Sequence, residues 1–175
     1  MKKIKNILFI SLCSFVFMLF ACGSTDEDVD TSQYDTAKTY SVGETLVCPN
    51  WEVKIDSVNI KKKGAAIDSY QVVDDPEWIG VVLTVKNTSS DTKTFYNSNL
   101  SITNSSGEVI NPSSWVYSIW GAEKLGSPEL TSGGTKTGFV QFANTEDNNS
   151  NLILKVDCNT GFMSDDVVYS VNISQ

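Results

Sequence analysis

Trp78-Ile79-Gly80-Val81-Val82-Leu83-Thr84-Val85 is the most continuous apolar run of the chain past residue 22. It is too short for a buried helix, rich in β-branched residues and bounded by turn residues. That pattern predicts a central strand buried on both faces. The run stops at Lys86-Asn87-Thr88-Ser89-Ser90, a turn. Upstream, residues 44–48 give a short strand broken by Pro49, and Trp51, Val53 and Ile55 alternate before Val58 and Ile60. The parity change between Ile55 and Val58 predicts a bulge. Residues 64–76 are less regular, with Ile67, Tyr70, Val72 and Val73 as a possible hairpin arm. Downstream, Leu100 and Ile102 alternate toward Asn104-Ser105-Ser106-Gly107, a hairpin signal ahead of Val109 and Ile110. Residues 112–126 form a long connection, and strands follow over 135–143, 152–158 and 167–173. In the last of these Val167, Tyr169, Val171 and Ile173 share one face. About seven to nine strands with turn signals roughly every 8–12 residues predict an all-β, two-sheet β-sandwich. No helix of three turns is expected.

The N-terminal segment has a different texture. Lys2, Lys3 and Lys5 precede an apolar stretch over residues 7–21, which ends in Leu19-Phe20-Ala21-Cys22. A spanning helix needs roughly 20 apolar residues, so the stretch reads as a signal-peptide core. Small Ala21 directly before a cysteine is the layout of a bacterial lipoprotein signal. The expectation is cleavage after residue 21, lipidation of Cys22 and residence at the outer face of the cell membrane, anchored rather than spanning. Residues 22–38 carry Asp26, Glu27, Asp28, Asp30 and Asp35 with little to bury, and read as a disordered acidic tether with a span of about 20–24 Å. Residues 39–175 are then the folded domain.

Composition removes several classes of function. The chain of 175 residues has 13 basic residues, all lysine, against 21 acids, for a net charge of −8. Such a balance argues against nucleic-acid partners. There are 0 histidines, so no Ser-His-Asp or Cys-His arrangement and no histidine metal site is available. The reading is non-enzymatic, with no cofactor and no metal site. Asp74, Asp75 and Glu77 flank Pro76, and Asp165-Asp166 precede the last strand. Their oxygens suit calcium, but no spaced loop with a glycine is present, and the favoured reading is solvated turn acids.

Two further groups of residues stand out. With Cys13 in the leader and Cys22 acylated, Cys48 and Cys158 are the pair left over, and both fall on the apolar faces of their strands. In an exported chain they are candidates for a disulfide, with two buried thiols as the alternative. Trp115, Tyr117 and Trp120 concentrate in the 112–126 connection. They are a candidate stacking platform for a sugar face or a partner hot spot. As an alternative, the connection folds over the sandwich and the rings complete its core.

The order of segments resembles a known family. The carriers are Val42-Gly43-Glu44-Thr45, Gly80-Val81-Val82-Leu83-Thr84-Val85-Lys86-Asn87-Thr88, Asn104-Ser105-Ser106-Gly107-Glu108, and Gly133-Gly134-Thr135-Lys136-Thr137-Gly138-Phe139-Val140-Gln141-Phe142. Together they resemble the immunoglobulin-like extracellular domain of unknown function common in lipoproteins of Firmicutes. The resemblance covers roughly residues 39–158 and implies an immunoglobulin-like sandwich, without carrying over any catalytic residue. In that frame Asn87 ends a central strand in a turn and Gly138 permits a close backbone approach or a bulge. The combined reading is a membrane-anchored, non-enzymatic binding module for an unknown protein or envelope partner. A carbohydrate-binding lipoprotein and a calcium-dependent adhesion or sensing domain are the alternatives.

Overall fold

The computed structural model describes residues 31–61, 77–114, 120–144, 151–158 and 167–174. Within them, in chain order, lie β1 (Thr39–Ser41), β2 (Thr45–Val47), β3 (Trp51–Lys61), β4 (Glu77–Asn87), β5 (Lys93–Thr94), β6 (Leu100–Thr103), β7 (Val109–Ile110), β8 (Glu129–Leu130), β9 (Thr135–Asn144), β10 (Ile153–Asp157) and β11 (Val168–Asn172). Two short 3-10 turns, Thr31–Gln33 and Asn97–Asn99, complete the regular structure. The strands form a five-stranded sheet, β1-β11-β10-β6-β7, and a four-stranded sheet, β2-β3-β4-β9. A separate two-stranded ribbon pairs β5 with β8. The fold is an all-β sandwich.

The core lies between the two sheets and follows the period-2 rule. Val53 and Ile55 of β3, Ile79, Val81, Leu83 and Val85 of β4, and Val140 and Phe142 of β9 meet Leu100, Ile102, Leu154, Val156, Tyr169 and Val171 from the other sheet. The parity change seen in β3 is a real bulge. Ile55 pairs with Leu83 and Ser57 with Val82, so Asp56 is the extra residue and Val58 returns to the inner side.

Two links staple the sheets together. Cys48, just past β2, is disulfide-bonded to Cys158, just past β10, with 5.7 Å between Cα atoms. The Tyr169 hydroxyl of β11 donates to the Val47 carbonyl of β2 at 2.5 Å. Burial of the phenol raises its pKa to about 12.

Asn87 terminates β4 with its side chain fully buried. Its Nδ2 donates to the carbonyls of Asp91 (2.7 Å) and Leu130 (2.8 Å). Its Oδ1 accepts from Ser89 N (2.9 Å) and Ser89 Oγ (2.7 Å). One carboxamide thus welds the end of β4 to the β5–β8 ribbon.

Two expectations change. The expectation of a β4 buried on both faces holds only in part. Trp78, Val82, Thr84 and Lys86 are half-buried on the outer side, where Thr84 Oγ1 donates to Asp56 Oδ2 at 2.6 Å and Lys86 pairs with Glu52 at 3.0 Å. The disorder expected over 22–38 does not hold for the described part of that segment. Its residues from Thr31 onward are structured, and Tyr34 packs against the core. Lys38 pairs with Glu44 at 2.6 Å and lies 4.3 Å over the Tyr40 ring, and Tyr40 stands edge-on to Tyr169 at 5.3 Å. A tyrosine pair carries enough apolar surface to hold down a segment whose acids suggest only solvation. Residues 64–76, Asp165, Asp166 and the leader lie outside the described residues.

Candidate functional site

The outer edge of β9 would be an open row of backbone donors and acceptors. The connection between β7 and β9 closes it. Pro112 bridges to Phe142, and the Ser113 N–H donates to the Gln141 carbonyl at 2.7 Å. Further along, Phe139 N–H donates to Glu123 O at 2.8 Å and Leu125 N–H to Phe139 O at 2.9 Å. Gly138 permits this approach, since a Cβ there would lie 2.6 Å from Leu125 Cα. Leu125 enters the main core from this edge.

Trp120 takes the opposite side of the four-stranded sheet. Its indole covers Gly80 so closely that a Cβ would sit 2.2 Å from the ring, and its Nε1 donates to Gln141 Oε1 at 2.8 Å. Phe139 lies beside it at 6.4 Å between centroids. With 5 % exposure, Trp120 is a small second core on the outer face, not part of an exposed stacking platform. This corrects its candidacy as a ligand-binding ring: the cover that Gly80 allows takes up its face. Trp115 and Tyr117 lie outside the described residues, as does Cys22.

The same wrap forms one wall of an open groove of about 440 Å³. The 3-10 turn after β5 supplies Asn97 and Ser98, the segment after β7 supplies Asn111, Ser113 and Ser114, and Lys124 closes the far side. Their backbones are pinned: Pro112 and Ser113 to β9, Lys124 in a bridge to Phe139, and the turn by Asn99 N–H to Tyr96 O at 3.0 Å. Tyr96 precedes Asn97 and is 55 % exposed, the one ring among the described residues that stands so far into solvent. Lys124 makes no ion pair among the described residues. Lys38, Lys54, Lys86 and Lys136 each hold a carboxylate at 2.6–3.3 Å.

A smaller depression of about 170 Å³ on the four-stranded sheet is lined by Glu52, Lys54, Thr84 and Lys86, whose polar groups bond one another or their neighbours on the same face. Near the N-terminal segment, the Lys38 hydrogen bond holds the Glu44 carboxyl below the usual carboxylate range, with the Ser41 N–H adding to it. The same pair raises the Lys38 ammonium. Among the described residues no group of three acidic or cysteine side chains is placed to hold a metal ion, and no helix is long and apolar enough to cross a membrane.

The profile of the domain of unknown function DUF4352 matches residues 40–168. The chain belongs to the DUF4352 family. Its fold is shared with the yjhA protein of Bacillus subtilis, at 20 % identity and a TM-score of 0.58 over 77 % of this chain and 99 % of that one. A functionally unknown protein of Listeria monocytogenes matches at 19 % identity and a TM-score of 0.55, over 77 % of this chain and 84 % of the other. The ycdA protein of Bacillus subtilis, described as a candidate lipoprotein, matches at 16 % identity and 0.52, over 75 % of this chain but only 39 % of that longer one. At these identities the likeness is one of fold. No curated protein matches the chain.

The structure brings Cys48 and Cys158 together and moves Trp120 inside. Sequence reasoning passed over Tyr96, Asn97, Asn111 and Lys124. Asn and Ser next to strand ends read as turn composition, and no spacing signal joins residues from two separate connections.

Proposed function

We propose that this DUF4352 chain is a lipid-anchored surface module, held outside the cytoplasmic membrane by acylated Cys22, whose immunoglobulin-like sandwich binds a protein or envelope partner without catalysis. The observation that carries the reading is the Cys48–Cys158 bridge between the sheets. Stable disulfides belong to oxidising compartments outside the cytoplasm. The Lys-rich start, the apolar run over 7–21 and the Ala21-Cys22 junction point to the same side of the membrane. The description of ycdA as a candidate lipoprotein agrees with it. A chain with 0 histidines favours binding over catalysis. Two acyl chains give stable residence where one does not, and tethering raises the local concentration of the sandwich at its target.

Membrane fractionation and intact mass of wild type and Cys22→Ser test the anchor. The wild type is expected in the membrane fraction with the added lipid mass, and the variant either in the medium or as an uncleaved precursor. A variant processed and retained like wild type overturns the reading. In-cell crosslinking from position 121 tests the partner.

A further inference from the structure

Resting on the reading of an envelope-facing binding module, we propose that the groove between the Asn97 turn and Lys124 binds a saccharide carrying one carboxylate. The size is right for a small ligand, since 440 Å³ falls within the roughly 300–1,000 Å³ of ligand clefts. The lining side chains are polar except for Pro112. Asn97, Ser98, Asn111, Ser113 and Ser114 offer two carboxamides and three hydroxyls. None of these side chains has a hydrogen-bond partner among the described residues. Each can donate and accept, which is the chemistry a polyhydroxylated ring presents in return.

Two features narrow the class. Lys124, in a chain where 21 acids face 13 lysines, has no carboxylate within ion-pair distance among the described residues. A carboxylate arriving with the ligand would form a charge-assisted bond with it. Tyr96, next in sequence to Asn97 and 55 % exposed, supplies an apolar ring face at the same turn. The groups sit on segments fixed by backbone bonds to β9 or by the turn itself, so little ordering is lost on binding.

Topology places this groove well for an envelope ligand. The structured N-terminal segment runs into β1, one edge of the five-stranded sheet, and β7 is the other edge. β7 adjoins β9, the far edge of the second sheet. Four strand spacings, about 19 Å, separate the edge where the tether joins from the edge carrying the groove.

The test is titration of the purified full-length chain in detergent, followed by calorimetry and by NMR. One probe is the N-acetylglucosamine–N-acetylmuramic acid disaccharide, which carries a carboxylate. The other is the N-acetylglucosamine dimer, which lacks it. The acidic disaccharide is expected to bind about tenfold more tightly than the neutral one. Lys124→Gln should erase that difference, and Tyr96→Ala should weaken both probes alike with the melting temperature unchanged. Neither probe binding at about 10 mM, or a preference that survives Lys124→Gln, overturns the proposal. Failure here leaves Cys22 anchoring and crosslinking to a protein partner as separate readouts of the broader function.

Discussion

Gly80→Ala separates a structural Trp120 from a displayed one. The new methyl carbon would lie 2.2 Å from two indole carbons, Cδ2 and Cε3, and 2.8 Å from Cε2. Comfortable carbon contact is about 3.5–4.0 Å. The backbone of Gly80 has nowhere to retreat, because it pairs with Asn59 on one side and Gln141 on the other. The indole must leave. An indole buries about 200 Å², worth about 5 kcal/mol at about 25 cal/mol per Å². Compactness of the unfolded chain lowers that figure, so the expected cost is roughly 3–5 kcal/mol, the range of large aromatic truncations. Urea unfolding followed by circular dichroism reads it as a midpoint lower by at least ~1 M. Trp120→Ala alone should cost a similar amount. In its background Gly80→Ala should cost less than about 1 kcal/mol, because the clash has gone. Two costs that simply add, or a lone Gly80→Ala below about 1 kcal/mol, would refute the packing argument.

Reduction of Cys48–Cys158 opens a closed loop spanning a sequence separation of 110 residues. Chain-entropy arithmetic makes it worth about 5 kcal/mol, so dithiothreitol should lower the melting temperature by about 10 °C or more. Cys48→Ala should match it, and an unchanged melting temperature would count against the bond. Tyr169→Phe leaves the Val47 carbonyl without its donor and should cost about 1–3 kcal/mol. The phenol also sets a pH limit. Its folded pKa of about 12 exceeds the unfolded value, so the stability it gives is complete below about pH 10 and drains away as pH rises toward 12. Phenolate absorbance should show one late-titrating tyrosine that Tyr169→Phe removes. Asn87→Ala strands two carbonyls and a Ser89 pair at once. It should cost about 3 kcal/mol or more, with hydrogen exchange rising first in β5 and β8.

What was legible in the sequence was whatever one strand or one turn encodes by itself. The bulge in β3 shows as a parity change, the Asn104–Gly107 turn as a composition signal, and the disulfide as the last pairing left by elimination. Gly107 indeed takes φ +86°, and Asn104 Oδ1 accepts the Glu108 N–H at 2.9 Å. Ribbons of two residues, such as β5 with β8, are too short to show any alternation. The parallel pairing of β1 with β11 joins the two ends of the described chain, and nothing local specifies it. Trp120 is instructive in another way. Its burial depends on a glycine forty positions upstream and on Gln141 across the sheet, so composition alone did not decide between core and platform.

The distribution of fixed points along the sandwich bears on how it would work. The disulfide, the Tyr169–Val47 bond, the Tyr40–Tyr169 ring contact and the packing of Tyr34 on the core all secure the N-terminal segment, β2 and the strands beside them. That is where a tether would transmit any pull. The β9 edge is held differently, by backbone bonds from a connection that anchors Trp120 and Leu125 but leaves its groove side chains outside the core. Backbone pairing fixes the position of Asn111, Ser113 and Lys124 without using their side chains. A change at Lys124 therefore alters the groove and leaves the ladder intact, whereas a change at Tyr169 or Cys48 loosens the fold. On this division of labour, groove substitutions should alter binding at constant melting temperature and staple substitutions the reverse. A Lys124→Gln chain that loses several degrees of stability would show that the two edges are not separable.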